Sequence, residues 1–365
     1  MARNHPVVRR LTSLITDFGP ISVEDFIAIS LGDPEGGYYA TQDPFGAAGD
    51  FTTSPEISQM FGEMIGAWCA DSWERLGAPE PFALIELGPG RGTLMADALR
   101  ALNTVPACRA AARIHMVETS PTLRASQQSA IADTDATWHL TIPEPSGMPA
   151  IFIANEFFDA LPIRQFVKSE GRWRERRVDI DSETGMFKFT LGKSSPQSRH
   201  ADHLITEALD GDILEESDAV RSIVDTIAEY IAAVGGAAIF IDYGHPYSAV
   251  GETLQALRGH KPVSPLKAPG TADLTAHVNF EQVAAAAAAH GIRSWGPIGQ
   301  GAFLERIGIR ERAKRLRQGA NELQAHDIDA SLTRLIGPAE MGTLFKVLAL
   351  SKQGTEPPAG FGPGP

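Results

Sequence analysis

Glu86, Gly88, Gly90 and Gly92 follow the apolar run Phe82–Ile85 at alternate positions, and that spacing limits the chemistry the chain can do. Glycines placed this way let backbone N–H groups approach a ligand closely. A helix opening at Thr93, with apolar residues at Leu94, Ala98, Leu99 and Leu102, adds unpaired amides at its start. The run therefore reads as a buried parallel strand, a ligand-binding turn and a helix. A dinucleotide loop spaced G-x-G-x-x-G offers its helix N-terminus to a pyrophosphate, which a carboxylate two residues ahead of the first glycine would repel. Glu86 is such a carboxylate, so a nicotinamide-dependent oxidoreductase fits poorly.

The spacing E-x-G-x-G-x-G instead resembles motif I of class I methyltransferases. Those enzymes bind S-adenosyl-L-methionine, a cationic ligand without phosphate beside which an acid is electrostatically sensible. Two further strand ends carry polar residues. Glu118 closes the strand Arg113–Glu118, where an acid can accept both ribose hydroxyls of an adenosine; the alternative is a cap for Ser120-Pro121-Thr122. Asn155, Glu156 and Asp159 follow the strand Ala150–Ala154. In an open parallel sheet, residues at that position point into the ligand crevice. They can accept hydrogen bonds from a nucleophilic nitrogen while Phe157 and Phe158 wall off water; the alternative is a polar loop with its aromatics in the core.

These strand ends need a doubly wound α/β sheet to bring them together, and the chain supplies alternating strands and helices from about Phe82 onward. Further strands are expected at Thr137–His139, Ile163–Val167 and Gly236–Asp242, with Leu344–Leu350 pairing antiparallel at one edge. Trp173–Phe189 reads as half-exposed strands and Gly211–Tyr230 as helical. Residues 1–80 form a helical N-terminal extension, with Ser22 capping a second helix, and residues 81–255 the core, with an insertion at about 170–230. Residues 256–340 are a helical and loop region over the site, including the proline-rich stretch Lys261–Gly270. Residues 341–353 are the last core strand, and 354–365 a glycine- and proline-rich tail expected to be disordered. The basic run Arg306–Arg317 reads as one helix with a solvated face, or as a docking patch for an acidic partner.

With 365 residues, 43% of them hydrophobic, the chain can bury a large core, and a net charge of -13 argues against nonspecific nucleic-acid binding. No apolar run reaches the roughly 18 residues needed to cross a bilayer, so no membrane insertion is expected. Cys69 and Cys108 are expected to be structural, and the ten histidines lack ligand spacing, so no metal site is expected.

Four blocks together resemble the MidA family of class I methyltransferases: Gly49–Glu63 (GDFTTSPEISQMFGE), Glu86–Gly92 (ELGPGRG), Asn155–Pro162 (NEFFDALP) and Ile241–Gly244 (IDYG). The resemblance spans nearly the whole chain and implies a Rossmann-like, seven-stranded sheet and S-adenosyl-L-methionine as donor. Eukaryotic members are mitochondrial, assist assembly of respiratory complex I and symmetrically dimethylate a protein arginine. A bacterial-type member is expected in the cytoplasm, acting on a complex I subunit or similar protein. A guanidinium is a poor nucleophile that carboxylates must orient and relieve of a proton, which suits Glu156 and Asp159, with Glu56 as a third acid. Thr52 and Thr53 would cover the donor's amino-acid end, or the block only opens a helix at Ser54-Pro55. Tyr243 would touch substrate. A noncatalytic assembly factor that keeps the cofactor is the competing function.

Overall fold

The computed structural model describes residues 4–41, 53–193 and 202–362, so Thr52 lies outside the described residues. The central sheet has seven main strands: β1 (Phe82–Leu87), β2 (Ala112–Val117), β3 (Ala136–His139), β4 (Ala150–Asn155), β5 (Gly236–His245), β6 (Ile292–Gly299) and β7 (Phe345–Lys352). Their order across the sheet is β6-β7-β5-β4-β1-β2-β3, with Val278–Asn279 adding a short pair to the end of β5. Strands β1 to β5 are parallel, and β7 runs antiparallel to both neighbours. Every residue of β1 and β4 is buried, as a strand covered on both faces requires. From β1 the chain winds toward β3, and from β4 it winds the other way. The order thus reverses between β1 and β4, and ligands of such sheets lie outside the carboxyl ends of the strands at that reversal.

Two strand assignments differ from the sequence expectation. Arg164–Ser169 does not join the central sheet; it pairs antiparallel with Arg172–Ile180 and Ile213–Glu216 in a separate small sheet. Its apolar cluster is small, Phe166, Trp173 and Leu214, while Gln165 on the other face is buried in bonds to Glu215 and Arg176, and a tight turn at Glu170-Gly171 directs it into a hairpin. The strand β7 is not the edge. It lies between β5 and β6, and β6 was hidden in the sequence by Gly296-Pro297, which interrupts its pairing between Trp295 and Ile298. Within the stretch read as helical, Ile213–Glu216 is a strand, and the helix begins at Asp218.

The N-terminal helices behave as their patterning dictates. Pro6–Phe18 buries Val7, Leu11 and Ile15 at helical spacing, and the Ser22 hydroxyl accepts the Asp25 N–H at 2.9 Å to cap Val23–Gly32. Helix Gln59–Arg75 crosses helix Thr93–Leu102 at very short range through Gly62 and Gly66. A Cβ on Gly62 would lie 2.5 Å from Asp97 Cβ, and one on Gly66 2.5 Å from the Ala98 carbonyl oxygen. That contact ties the N-terminal block to the helix that follows the glycine turn.

The basic run is two helices, Gln300–Arg306 and Ile309–Arg317, broken at Gly308. One of its arginines turns inward. Arg312 donates to the buried Glu63 carboxylate at 2.7 and 2.9 Å, and Arg100 donates to it at 3.2 Å. Arg312→Ala leaves Glu63 with Arg100 as its remaining cation and is expected to cost about 1–3 kcal/mol in denaturant unfolding; an unchanged midpoint would show the pair contributes nothing. Residues 354–362, read from composition as disordered, place Phe361 5.5 Å from Phe303 and the Gly360 carbonyl against Arg306. No helix among the described residues is long and apolar enough to cross a membrane.

Candidate active site

The reversal point holds a cleft of about 220 Å³ lined by Gly88, Gly90, Glu118, Glu156, Phe157 and Asp159, with Thr53, Tyr39 and Asp273 on its other walls. A smaller recess of about 30 Å³ continues from it, lined by Thr53, Glu56, Glu86, Thr93, Asn155 and Glu156. The structure therefore brings together, around one crevice, nearly every described residue singled out from the sequence. A larger cavity of about 340 Å³ lies elsewhere, between helices Asp218–Val234 and Phe280–Ala289, and holds no residue of the glycine turn.

The glycine turn is shaped for a ligand. Gly88, Gly90 and Gly92 have φ of 60°, 55° and 84°, conformations that other residues adopt only with strain. At Gly88 a Cβ would sit 2.5 Å from Phe157 Cδ2, so the ring and the backbone close on each other there. Phe157 thus lines the cleft beside the glycine turn, whereas Phe158 is core, 5.0 Å from Phe240. Glu86 is buried, and its Oε2 has no hydrogen-bond partner among the described residues; nor does Asn155 Oδ1. Two buried acceptors without donors on one wall fit a ligand that brings its own N–H groups.

At the end of β2, Glu118 Oε1 accepts the Ser120 N–H at 2.7 Å and Oε2 accepts from Gln127 Nε2 at 3.1 Å. Its link to the following helix is real, and the residue also lines the cleft. Gln127 was not legible in the sequence. Fully buried, it also donates to the Gly90 carbonyl at 2.8 Å and accepts from Trp138 Nε1 at 2.8 Å, so it ties the turn to Glu118.

The acids at the end of β4 sit opposite. Glu156 Oε1 accepts the Ser54 N–H at 2.7 Å and Asn155 Nδ2–H at 3.2 Å, so helix Ser54–Ile57 is held by a carboxylate from across the site, while Thr53, its N-cap, makes no side-chain capping bond. Burial pushes Glu156 up to about 7 and Asp159 up to about 6. Glu56 faces the glycine turn, accepting the Thr93 hydroxyl at 2.6 Å. Tyr243 is buried edge-on between His277 and Phe345, and burial together with the Asp159 carboxylate pushes its pKa up. Tyr39, which donates to Asp273 at 3.0 Å, and Asp273 itself are cleft residues that no local sequence pattern marks.

Burial pushes Glu86 up to about 8, so at neutral pH the free protein holds it largely protonated. A cation arriving beside it favours the ionised form and releases that proton. Cofactor affinity is therefore expected to rise with pH, by up to about tenfold per unit, until it levels near pH 8. The free protein changes the opposite way: its folded form keeps a proton that the unfolded chain has already lost, so this group's contribution falls between the ordinary carboxylate range and about 8. Calorimetry in two buffers of different ionisation heat measures the released proton; pH-independent affinity with no proton release would contradict it.

A glycine turn preceded by an acid, a second acid at the neighbouring strand end and an antiparallel β7 inserted beside β5 define a class I S-adenosyl-L-methionine-dependent methyltransferase. The family model for S-adenosyl-L-methionine-dependent methyltransferases matches residues 64–298, and the chain belongs to that family, the MidA methyltransferases. It is 36% identical over 376 residues to a Drosophila melanogaster protein named protein arginine methyltransferase NDUFAF7 homolog, mitochondrial, covering 94% of this chain and 84% of that one. It is 34% identical to the human protein arginine methyltransferase NDUFAF7, mitochondrial, covering 94% and 83%. A structure from Burkholderia thailandensis, described as a candidate methyl transferase and solved bound to S-adenosyl-homocysteine, superposes with a TM-score of 0.85 at 28% identity. That likeness covers 98% of this chain and 95% of the other.

Proposed function

We propose that this methyltransferase modifies arginine in a protein, by symmetric dimethylation, and that its substrate is a respiratory complex I subunit or a similar protein met in the cytoplasm of a bacterial cell. The observation that carries the reading is the pair Glu156 and Asp159 at the end of β4, Asp159 buried and Glu156 half-buried, both opening onto the same cleft as the glycine turn. The names of the relatives agree with it.

S-adenosyl-L-methionine supplies an electrophilic methyl group on a cationic sulfonium. In this reading Glu86 and Asn155 hold the donor's amino end, Glu118 its ribose hydroxyls, and Gly88, Gly90 and Gly92 give the backbone cradle, with Thr53 on the facing wall. Glu156 and Asp159 bind the guanidinium, and their proton affinities, near neutral, suit them to take the proton as the nitrogen attacks. Phe157 excludes water from that contact, Tyr243 stands behind Asp159, and Glu56, the third acid, reaches the site from the recess beside Thr93. The test is to incubate the protein with methyl-labelled donor and an extract of cells lacking it, then hydrolyse the labelled protein fraction. Label recovered as symmetric dimethylarginine is expected. Label confined to small molecules or to another amino acid would overturn the arginine assignment.

A further inference from the structure

We propose that Asp242 is the positioning residue of the acid pair, fixing from the neighbouring strand the turn after Asn155 that carries Glu156 and Asp159. The inference rests on that pair being catalytic. Strand β5 runs parallel to β4 in the register Ile241↔Asn155, so Asp242 falls beside the turn as β4 ends. One oxygen, Oδ2, accepts three consecutive backbone N–H groups: Phe157 at 3.2 Å, Phe158 at 2.9 Å and Asp159 at 3.2 Å. The other accepts the Tyr243 N–H at 2.9 Å. The Glu156 N–H in turn donates to the Ile241 carbonyl at 2.8 Å. The turn needs such support, because Glu156 sits at φ 48°, a left-handed conformation that a residue with a side chain keeps only under constraint.

Asp242 is also a third carboxylate in the same buried space. It is 1% exposed, and burial with the charges of Asp159 and Glu156 pushes its pKa up. The coupling is mutual, so a charge on Asp242 raises the proton affinity of the pair. Facing it are Glu156 and Asp159 from the turn, Tyr243 on its own strand with His277 against that ring, and Lys346 opposite on β7. The Lys346 ammonium is engaged by the Thr343 and Leu344 carbonyls. Across the cleft stand Tyr39 and Asp273.

Asp242→Asn keeps a carbonyl for the turn's N–H groups, removes the charge and turns its amide NH2 toward the Tyr243 N–H, so the second acceptor is lost with the charge. With labelled donor and the same extract, it is expected to bind S-adenosylhomocysteine as the wild type does, to lose about tenfold or more in rate, and to move the acid limb of the rate–pH profile to lower pH. The direction follows because losing a neighbouring carboxylate lowers the proton affinity of Glu156 and Asp159. A rate that falls only with the folded fraction, on an unmoved profile, overturns the inference. Should that variant fail to fold, Asp242→Ser, which keeps a small acceptor without charge, is read the same way. Glu156→Gln run in parallel separates the two readings: full activity there removes the acid pair itself, whereas an inactive Glu156→Gln beside an Asp242→Asn of wild-type profile removes only the role of Asp242.

Discussion

Replacing Glu156 with glutamine is expected to slow methyl transfer by about 10²–10⁴-fold, the usual worth of a positioned proton acceptor, with donor affinity and folding little changed. The reason lies in what the amide keeps. Glu156 Oε1 accepts the Ser54 N–H and the Asn155 amide, and a glutamine carbonyl can accept both, without the carboxylate's charge assistance. The N-terminal helix stays held and the turn stays shaped. What disappears is the negative charge that orients a guanidinium and the base that receives its proton. Single-turnover measurement with labelled donor isolates that step. A variant as fast as the wild type would mean that the acids only brace Ser54.

The second large effect falls on the donor. Gly88→Val combines a φ of 60° with a Cβ placed 2.5 Å from the Phe157 ring, so the turn must shift or the ring must leave the cleft wall. A strained residue costs on the order of 1–3 kcal/mol, and the displaced ring adds to it where the donor lies. Affinity for S-adenosylmethionine is expected to fall by about a hundredfold or more, at 1.4 kcal/mol per factor of ten. Thermal unfolding checks that the variant is folded. Undiminished affinity would place the donor away from this turn.

Much of this site could be read from the chain because its parts are local. An apolar strand running straight into Gly88, Gly90 and Gly92, or into Asn155 and Glu156, shows both the element and the residues it aims, and parallel packing puts such strand ends on one crevice. The residues missed are those delivered from afar. Tyr39 and Asp273 meet across 234 positions, and Gln127 reaches Gly90 across 37 from the middle of a helix whose polar residues look merely solvated. Asp242 is intermediate: it ends an apolar strand, but its purpose needs the knowledge that β5 lies beside β4. The edge strand β6 was lost for a local reason, since Gly296-Pro297 resembles a turn and the sheet tolerates it only through a bulge.

The measurement that bears most directly on the whole site is a calorimetric titration of S-adenosylmethionine into three proteins side by side: wild type, Gly88→Val and Glu156→Gln. One-to-one binding to the wild type, lost in Gly88→Val and kept in a Glu156→Gln that no longer transfers methyl, is the expected pattern. No binding to the wild type, or equal binding by all three with transfer intact, would contradict a donor seated on the glycine turn with the acids facing its methyl group.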